Sequence, residues 1–187
     1  MRLKESIKHI LMVGPCAREL GRTVRRLRYR FIQFRSATYW EARYASGGVS
    51  GPGSEGHLAK FKAKVLNDFV GRHAIKSVIE LGCGDGNQLS LSEYPQYVGI
   101  DVSPTAIIRC QELFQHDKSK RFLVSRENCA QNPEPAELAL SLDVIFHLVE
   151  DNVYEQYMRS LFDAATRFVI IYSDNQEASD QELHVRH

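Results

Sequence analysis

The chain has 187 residues, of which 43% are apolar and 25% are charged, as is usual for one globular domain with a buried core. No apolar stretch approaches the roughly 18 residues that span a bilayer, and the four cysteines lack the short paired spacing of a zinc or redox motif. We therefore expect a soluble protein with reduced thiols in the cytoplasm.

The net charge of +1 hides an asymmetry, because residues 1–36 hold ten Lys or Arg against two Glu and the remainder holds 14 against 21. This basic stretch is predicted to form an amphipathic helical extension that is broken at Gly14 and Pro15. Such a helix suits an anionic membrane surface or a protein partner, or it packs on its own domain; the sequence leaves these alternatives open. No nucleic-acid partner is expected, because no recognisable module or interleaved aromatic pattern is present.

Residues 37–56 combine an aromatic segment, Tyr39 to Tyr44, with a stretch that carries five glycines between positions 46 and 56. We predict a mobile lid over a binding site, which would exclude water on closing. The alternative is a plain linker between the extension and the domain. A phosphate loop is excluded, since no G-K-[S/T] ends the stretch.

From residue 57 onward, apolar strands alternate with helices. Strands are predicted over 77–81, 97–100, 121–124, 138–142 and 168–172, and helices over 57–70, after the capping pair Ser103-Pro104, and over 152–164. The connection over 87–94 allows only a short helix. This alternation predicts an α/β fold with a doubly wound, mainly parallel sheet.

Two helices show an apolar face at helical spacing. In the first, the face comprises Leu58, Phe61, Val65, Leu66 and Phe69. In the helix after Ser103, the buried face is predicted to comprise Ala106, Ile107, Cys110, Leu113 and Phe114.

A glycine turn, Gly82-Cys83-Gly84-Asp85-Gly86, follows the first strand, and Asp101 ends the second strand nineteen residues after Gly82. Open α/β sheets build nucleoside sites in this way, with a carboxylate that accepts from ribose hydroxyls. The spacing lacks the third glycine of a dinucleotide fingerprint, and the Glu80 carboxylate would repel a pyrophosphate but attract an ammonium group. A nicotinamide cofactor is therefore the weaker alternative.

Residues 80–86 and Asp101 resemble the first motif of the class I S-adenosylmethionine-dependent methyltransferases, which have a Rossmann-like fold. The resemblance extends from about Tyr39 to Asn175 and implies S-adenosyl-L-methionine as the cofactor. It also implies the strand order 3-2-1-4-5, usually followed by two more strands. Because only fifteen residues follow Tyr172, residues 57–187 would form either an abbreviated domain or one that is truncated at its C-terminus, and the abrupt end favours truncation.

The resemblance also implies which residues bind the cofactor. Asp101 would hold the ribose, and Glu127 or Asn128 the adenine amino group, while Asp85 is either a ligand contact or a turn residue. The full predicted set is Glu80, Gly82, Cys83, Gly84, Asp85, Asp101, Val102, Glu127, Leu142 and Asp143. No metal site is predicted, because His184 and His187 would supply only two ligands.

The segment after the fourth strand would face the methyl group. His147 is the candidate general base, since its ordinary pKa lies near neutrality, although it could equally anchor the loop. Asp143 would orient His147, contact the cofactor or cap a helix. The segment resembles the small-molecule branch of the family and lacks the N/D-P-P-Y/F sequence of enzymes that methylate nucleic-acid bases.

Residues 40–63 and 141–151 look like a group of small methyltransferases found with bacterial surface-polysaccharide and capsule clusters. This likeness implies a small-molecule or glycan acceptor, and a hydroxyl group that is methylated by in-line displacement. The alternatives are a non-catalytic cofactor-binding protein with an incomplete acceptor site, and a nicotinamide-dependent oxidoreductase.

Overall fold

The computed structural model describes residues 34–125 and 133–173. Glu127 and nearly all of the basic extension lie outside these residues. The helices in this part are α1 (Ser36–Ala45), α2 (Gly56–Arg72), α3 (Pro104–Leu113) and α4 (Asp151–Asp163). The strands are β1 (Val78–Leu81), β2 (Tyr97–Asp101), β3 (Lys120–Val124), β4 (Ala136–Leu142) and β5 (Ala165–Tyr172).

The five strands form one sheet in the order β3-β2-β1-β4-β5, and every neighbouring pair is parallel. The predicted fold class and strand order are confirmed. All four residues of the central strand β1 are buried, as expected for a parallel sheet that is covered on both faces. The strand order reverses between β1 and β4, and in such sheets ligands bind beyond the carboxyl ends of the strands at this point.

Successive residues of β1 pack into different layers, because side chains alternate across a strand. Val78 belongs to a cluster that includes Leu66 of α2 and Ile107 of α3. Its neighbour Ile79 belongs to a second cluster with Leu161 of α4. The sheet is therefore covered by helices on both faces.

The start of α3 follows the predicted capping pattern. The Ser103 hydroxyl accepts a hydrogen bond from the Ala106 N–H at 3.0 Å, and Pro104 occupies the first helical position. The short helix that was predicted within 87–94 is a 3-10 turn, Leu89–Leu91.

The apolar faces predicted for α2 and α3 are partly wrong. Phe61 and Val65 are 57% and 50% exposed, and Leu113 of α3 is 56% exposed. The small side chain of Ala59 lets the α2 backbone approach the chain after β1, where the Ala59 carbonyl accepts from the Gln88 side-chain amide at 3.1 Å. This close approach rotates a different face inward, and its buried residues are Ala59, Lys62, Ala63, Leu66 and Val70.

The aromatic segment, for which no regular element was predicted, lies within helix α1. The glycine-rich stretch after it is irregular except for a 3-10 turn, Pro52–Ser54. We call residues 36–55 the covering segment. In the described ranges, no helix is long and apolar enough to cross a membrane.

Candidate active site

The glycine turn leaves the carboxyl end of β1 and is tied to β2. The N–H groups of Gly82 and Cys83 both donate to the Ile100 carbonyl, at 2.7 and 3.1 Å. Gly82 and Gly84 have φ values of 80° and 57°, which residues with a side chain rarely adopt. A Cβ atom on Gly84 would also collide with the Ser50 Oγ. The turn therefore needs glycine for its conformation and for close contact.

Asp101 joins this turn to the start of α3. Its Oδ2 accepts from the Gly84 N–H and its Oδ1 from the Ser103 N–H, both at 2.9 Å. The residue is only 7% exposed, and burial raises the pKa of its carboxyl although the backbone N–H groups act in the opposite direction. The structure thus brings Asp101 against the glycine turn, at the switch point of the sheet.

Glu80 is buried inside the sheet rather than open to solvent. Its Oε2 accepts from the Tyr97 hydroxyl at 2.7 Å, and burial raises its pKa to about 7. The Lys62 ammonium lowers this pKa, whereas the negative charges of Asp101 and Asp143 raise it. The buried Glu80 carboxyl therefore releases its proton at a higher pH than an exposed glutamate does.

Asp85 is bound by the covering segment. Its two carboxylate oxygens accept from the Ser50 N–H at 3.0 Å and from the Ser50 hydroxyl at 2.8 Å. The Asn87 N–H also donates to Asp85, at 3.2 Å, which is the contact of a turn residue. The carboxylate thus connects the glycine turn to the covering segment.

The other predicted binding residues occupy different environments. The Cys83 thiol is buried, and so is Leu142 at the end of β4. Val102 is 41% exposed beside Asp101. Glu127 lies outside the described residues.

Asp143 follows β4 and pairs with a lysine that sequence reasoning missed. The Lys62 ammonium from α2 donates to the Asp143 carboxylate, and Lys62 is only 2% exposed. Asp143 has φ 57°, and its N–H donates to the Tyr172 carbonyl at 2.8 Å. The role of Asp143 in orienting His147 stays a prediction, because the Asp143 carboxylate accepts its hydrogen bond from Lys62.

His147 lies in a 3-10 turn, Ile145–His147, and contacts α1. Its ring meets the Trp40 ring edge-on, with centroids 4.8 Å apart. The His147 carbonyl accepts from the Ser36 hydroxyl at 2.9 Å, and the Glu150 carboxylate accepts from the Ser36 N–H at 2.9 Å. The beginning of α1 is therefore bound to the loop after β4.

The covering segment also contacts the loop after β2. The Glu41 carboxylate accepts from the Ser103 and Thr105 hydroxyls at 2.5 and 2.6 Å, and these bonds lower its pKa. The Arg109 guanidinium donates to the Tyr44 and Gly48 carbonyls at 2.5 and 2.7 Å. The segment thus reaches the loops after β1, β2 and β4. Glu41 and Ser50 were missed because a polar residue in a helix or a glycine-rich loop carries no pattern of its own.

The residues at the turn fit a cationic nucleoside better than a diphosphate. Glu80, Asp85 and Asp101 place three carboxylates on or beside a glycine turn that leaves no room for a side chain. Carboxylates attract the ammonium and sulfonium groups of an adenosyl sulfonium and repel phosphates. In the described part of the chain, no group of three metal-ligating side chains could hold a metal ion.

Comparisons with known proteins point to a methyltransferase domain. Residues 78–167 match the family model described as a methyltransferase domain. EEF1A lysine methyltransferase 4 from Mus musculus is 30% identical over 95 residues, a stretch that covers 49% of this chain. The match spans only 36% of that relative's length.

Solved structures share the fold. The methyltransferase domain of bacterial CtHen1-C has a TM-score of 0.54 at 25% identity, and the match covers 62% of this chain and 65% of that one. N-methyltransferase NodS from Bradyrhizobium japonicum WM9, in complex with S-adenosyl-L-homocysteine, has a TM-score of 0.56 at 14% identity and matches over 71% and 69% of the two chains. Over residues 78–167, the chain thus has the sequence pattern of a methyltransferase domain and, in its described residues, the Rossmann-like fold of the class I methyltransferases.

Proposed function

We propose that the protein is an S-adenosylmethionine-dependent methyltransferase. The observation that carries this proposal is the bond between the Asp101 carboxylate and the Gly84 N–H at the switch point of the sheet. The cofactor would lie beside the glycine turn, and Asp101 would accept from the ribose hydroxyls. When bound, the cofactor supplies a methyl group that its sulfonium already activates.

The protein's own residues would align the acceptor, remove its proton and exclude water. His147 follows β4 on the loop that borders the switch point, so its imidazole would take the proton of a hydroxyl nucleophile. The covering segment would act as the lid, because it bonds to the loops after β1, β2 and β4. Positioning of this kind contributes up to about 7–11 kcal/mol in well-oriented reactions.

For the acceptor, we propose a hydroxyl group of a small molecule or glycan. The support is the likeness of residues 40–63 and 141–151 to methyltransferases of surface-polysaccharide clusters, together with a histidine suited to deprotonating a hydroxyl. A second candidate is a protein lysine amine, which the similarity to EEF1A lysine methyltransferase 4 favours.

We also propose that the protein acts in the cytoplasm and that the basic residues 1–36 bind an anionic membrane surface or a protein partner. The support is their ten Lys or Arg against two Glu. Vesicles of anionic and of neutral lipid would test membrane binding. Equal retention of the full chain on both would remove the electrostatic membrane role.

One titration and one assay test the proposed activity. Adenosylhomocysteine should bind the full chain and NAD should not compete with it; the reverse result would favour an oxidoreductase. Labelled S-adenosylmethionine should then transfer its methyl group to sugar acceptors rather than to lysine peptides. Tight binding without turnover on either panel would favour the alternative of a non-catalytic cofactor-binding protein.

A further inference from the structure

An ion pair between the buried Lys62 and the partly buried Asp143 joins α2 to the end of β4. Lys62 is 2% exposed, and the side chain of its partner Asp143 is 20% exposed. Burying such a pair costs several kcal/mol per ion, and apolar replacements of similar volume are often neutral or stabilising. Stability alone therefore gives little reason for a lysine here.

The surroundings of the pair place it between the end of β5 and the covering segment. The Lys62 ammonium lies 5.2 Å from the centroid of the Tyr172 ring, at the end of β5. Asp143 is held in the left-handed region by its bond to the Tyr172 carbonyl. A Cβ atom on Gly53 would come within 2.5 Å of the Asp143 Oδ2, so the covering segment lies directly on this carboxylate.

The pair belongs to a larger charge arrangement, which we call the acidic cluster: Glu80, Asp101 and Asp143. The Lys62 ammonium lowers the pKa of Glu80, whereas the negative charges of Asp101 and Asp143 raise it. The other titratable groups that interact with Glu80 come from β2, α4 and the chain after β1. They are Tyr97, Tyr157, Tyr94 and Cys83.

We propose that Lys62 is a positioning residue of the methyl-transfer site. Lys62 fixes the Asp143 carboxylate, and its positive charge offsets enough negative charge for the groups of the acidic cluster to stay ionised where they face the cofactor's ammonium group. This inference rests on the proposed function. It makes the affinity for an ammonium-bearing ligand depend on pH, because protonation of the buried Glu80 carboxyl removes part of the attraction. Removing Lys62 should shift that dependence to higher pH, and removing the charge of Asp143 should shift it to lower pH.

The test measures the affinity for adenosylhomocysteine by calorimetry between about pH 5 and 9 in the full chain. Lys62→Met should move the midpoint of the acidic limb up, since the Lys62 ammonium lowers the pKa of the Glu80 carboxyl. Asp143→Asn should move it down. Lys60→Met, at an exposed position of the same helix, should leave the midpoint unchanged.

A second ligand shows whether the pH dependence of binding comes from the ligand's ammonium group. Methylthioadenosine lacks the ammonium group, so its affinity should show no such limb in any variant. An unchanged midpoint in Lys62→Met, or shifts of the two variants in the same direction, would overturn the inference. If Lys62→Met does not fold, the absence of a downward shift in Asp143→Asn overturns it alone. Failure of the wild-type chain to bind adenosylhomocysteine at any pH would instead refute the proposed function.

Discussion

At the scale of single residues, Asp101 combines a structural and a proposed ligand-binding role. Its two oxygens accept the N–H groups of Gly84 and Ser103, and so hold the glycine turn against the start of α3. A carboxylate oxygen can accept more than one hydrogen bond, so these contacts leave capacity for ribose hydroxyls. The two roles require different experiments.

We expect Asp101→Asn to weaken adenosylhomocysteine binding roughly 10- to 100-fold, because a hydrogen bond to a charged group contributes about 1.5–3 kcal/mol. Asparagine keeps the shape of the side chain and one carbonyl oxygen. The matched control is a ligand without the ribose 2′-hydroxyl, for which wild type and variant should differ much less. An equal loss for both ligands would indicate that Asp101 only holds the turn.

His147 provides the second prediction at this scale. His147→Gln should lower kcat about 100-fold or more on a hydroxyl acceptor while adenosylhomocysteine affinity stays within a few-fold, since a base acts on the acceptor's proton. Trp40→Phe, which keeps an aromatic ring beside His147, serves as the control for packing. Full activity of His147→Gln would remove the general-base role.

At the scale of elements, the covering segment bonds to the glycine turn mainly through Ser50. Ser50→Ala removes the bonds of the hydroxyl to the Asp85 carboxylate, the Asp85 N–H and the Tyr44 hydroxyl, and it keeps the bond from the Ser50 N–H to Asp85. We expect adenosylhomocysteine to dissociate at least roughly fivefold faster, because each lost hydrogen bond contributes about 1 kcal/mol. Ser46→Ala, which removes only a local bond to the Arg43 carbonyl, should change nothing in stopped-flow measurements. Equal rates in both variants would mean that the segment is no lid.

The sequence predicts the sheet better than it predicts what covers it. Each strand is a short apolar run between turn residues, and the cap at Ser103-Pro104 has its own signature. Helix α1 has no apolar stripe, so nothing marked it as a helix. The burial of Lys62 was unpredictable because lysine is almost always exposed unless a distant partner, here Asp143, pairs with it.

At the scale of the whole molecule, Glu80 should make stability depend on pH. Its pKa is about 7 in the folded chain against 4.5 for an ordinary glutamate. The folded state therefore binds the proton more tightly, and stability that is fully present below about pH 4.5 is lost as pH rises through about 7, by at most about 3 kcal/mol.

We expect Glu80→Gln to flatten this dependence in thermal or urea unfolding measured between pH 4.5 and 8. Glutamine keeps a hydrogen-bonding group beside the Tyr97 hydroxyl but carries no charge. Glu93→Gln, at an exposed glutamate, should retain the wild-type dependence. The same slope in wild type and Glu80→Gln would show that other groups cause the pH effect.

The residues that bind α1 lie far along the chain from it, and this separation bears on the order in which the protein assembles during synthesis. Ser36 binds Glu150, which is 114 residues further on, and Glu41 binds Ser103 and Thr105, which are 62 and 64 residues further on. Because a chain leaves the ribosome from its N-terminus, α1 emerges long before these partners exist. The first helix of the described chain must therefore wait for four strands of the sheet, and it completes its docking among the last steps of assembly.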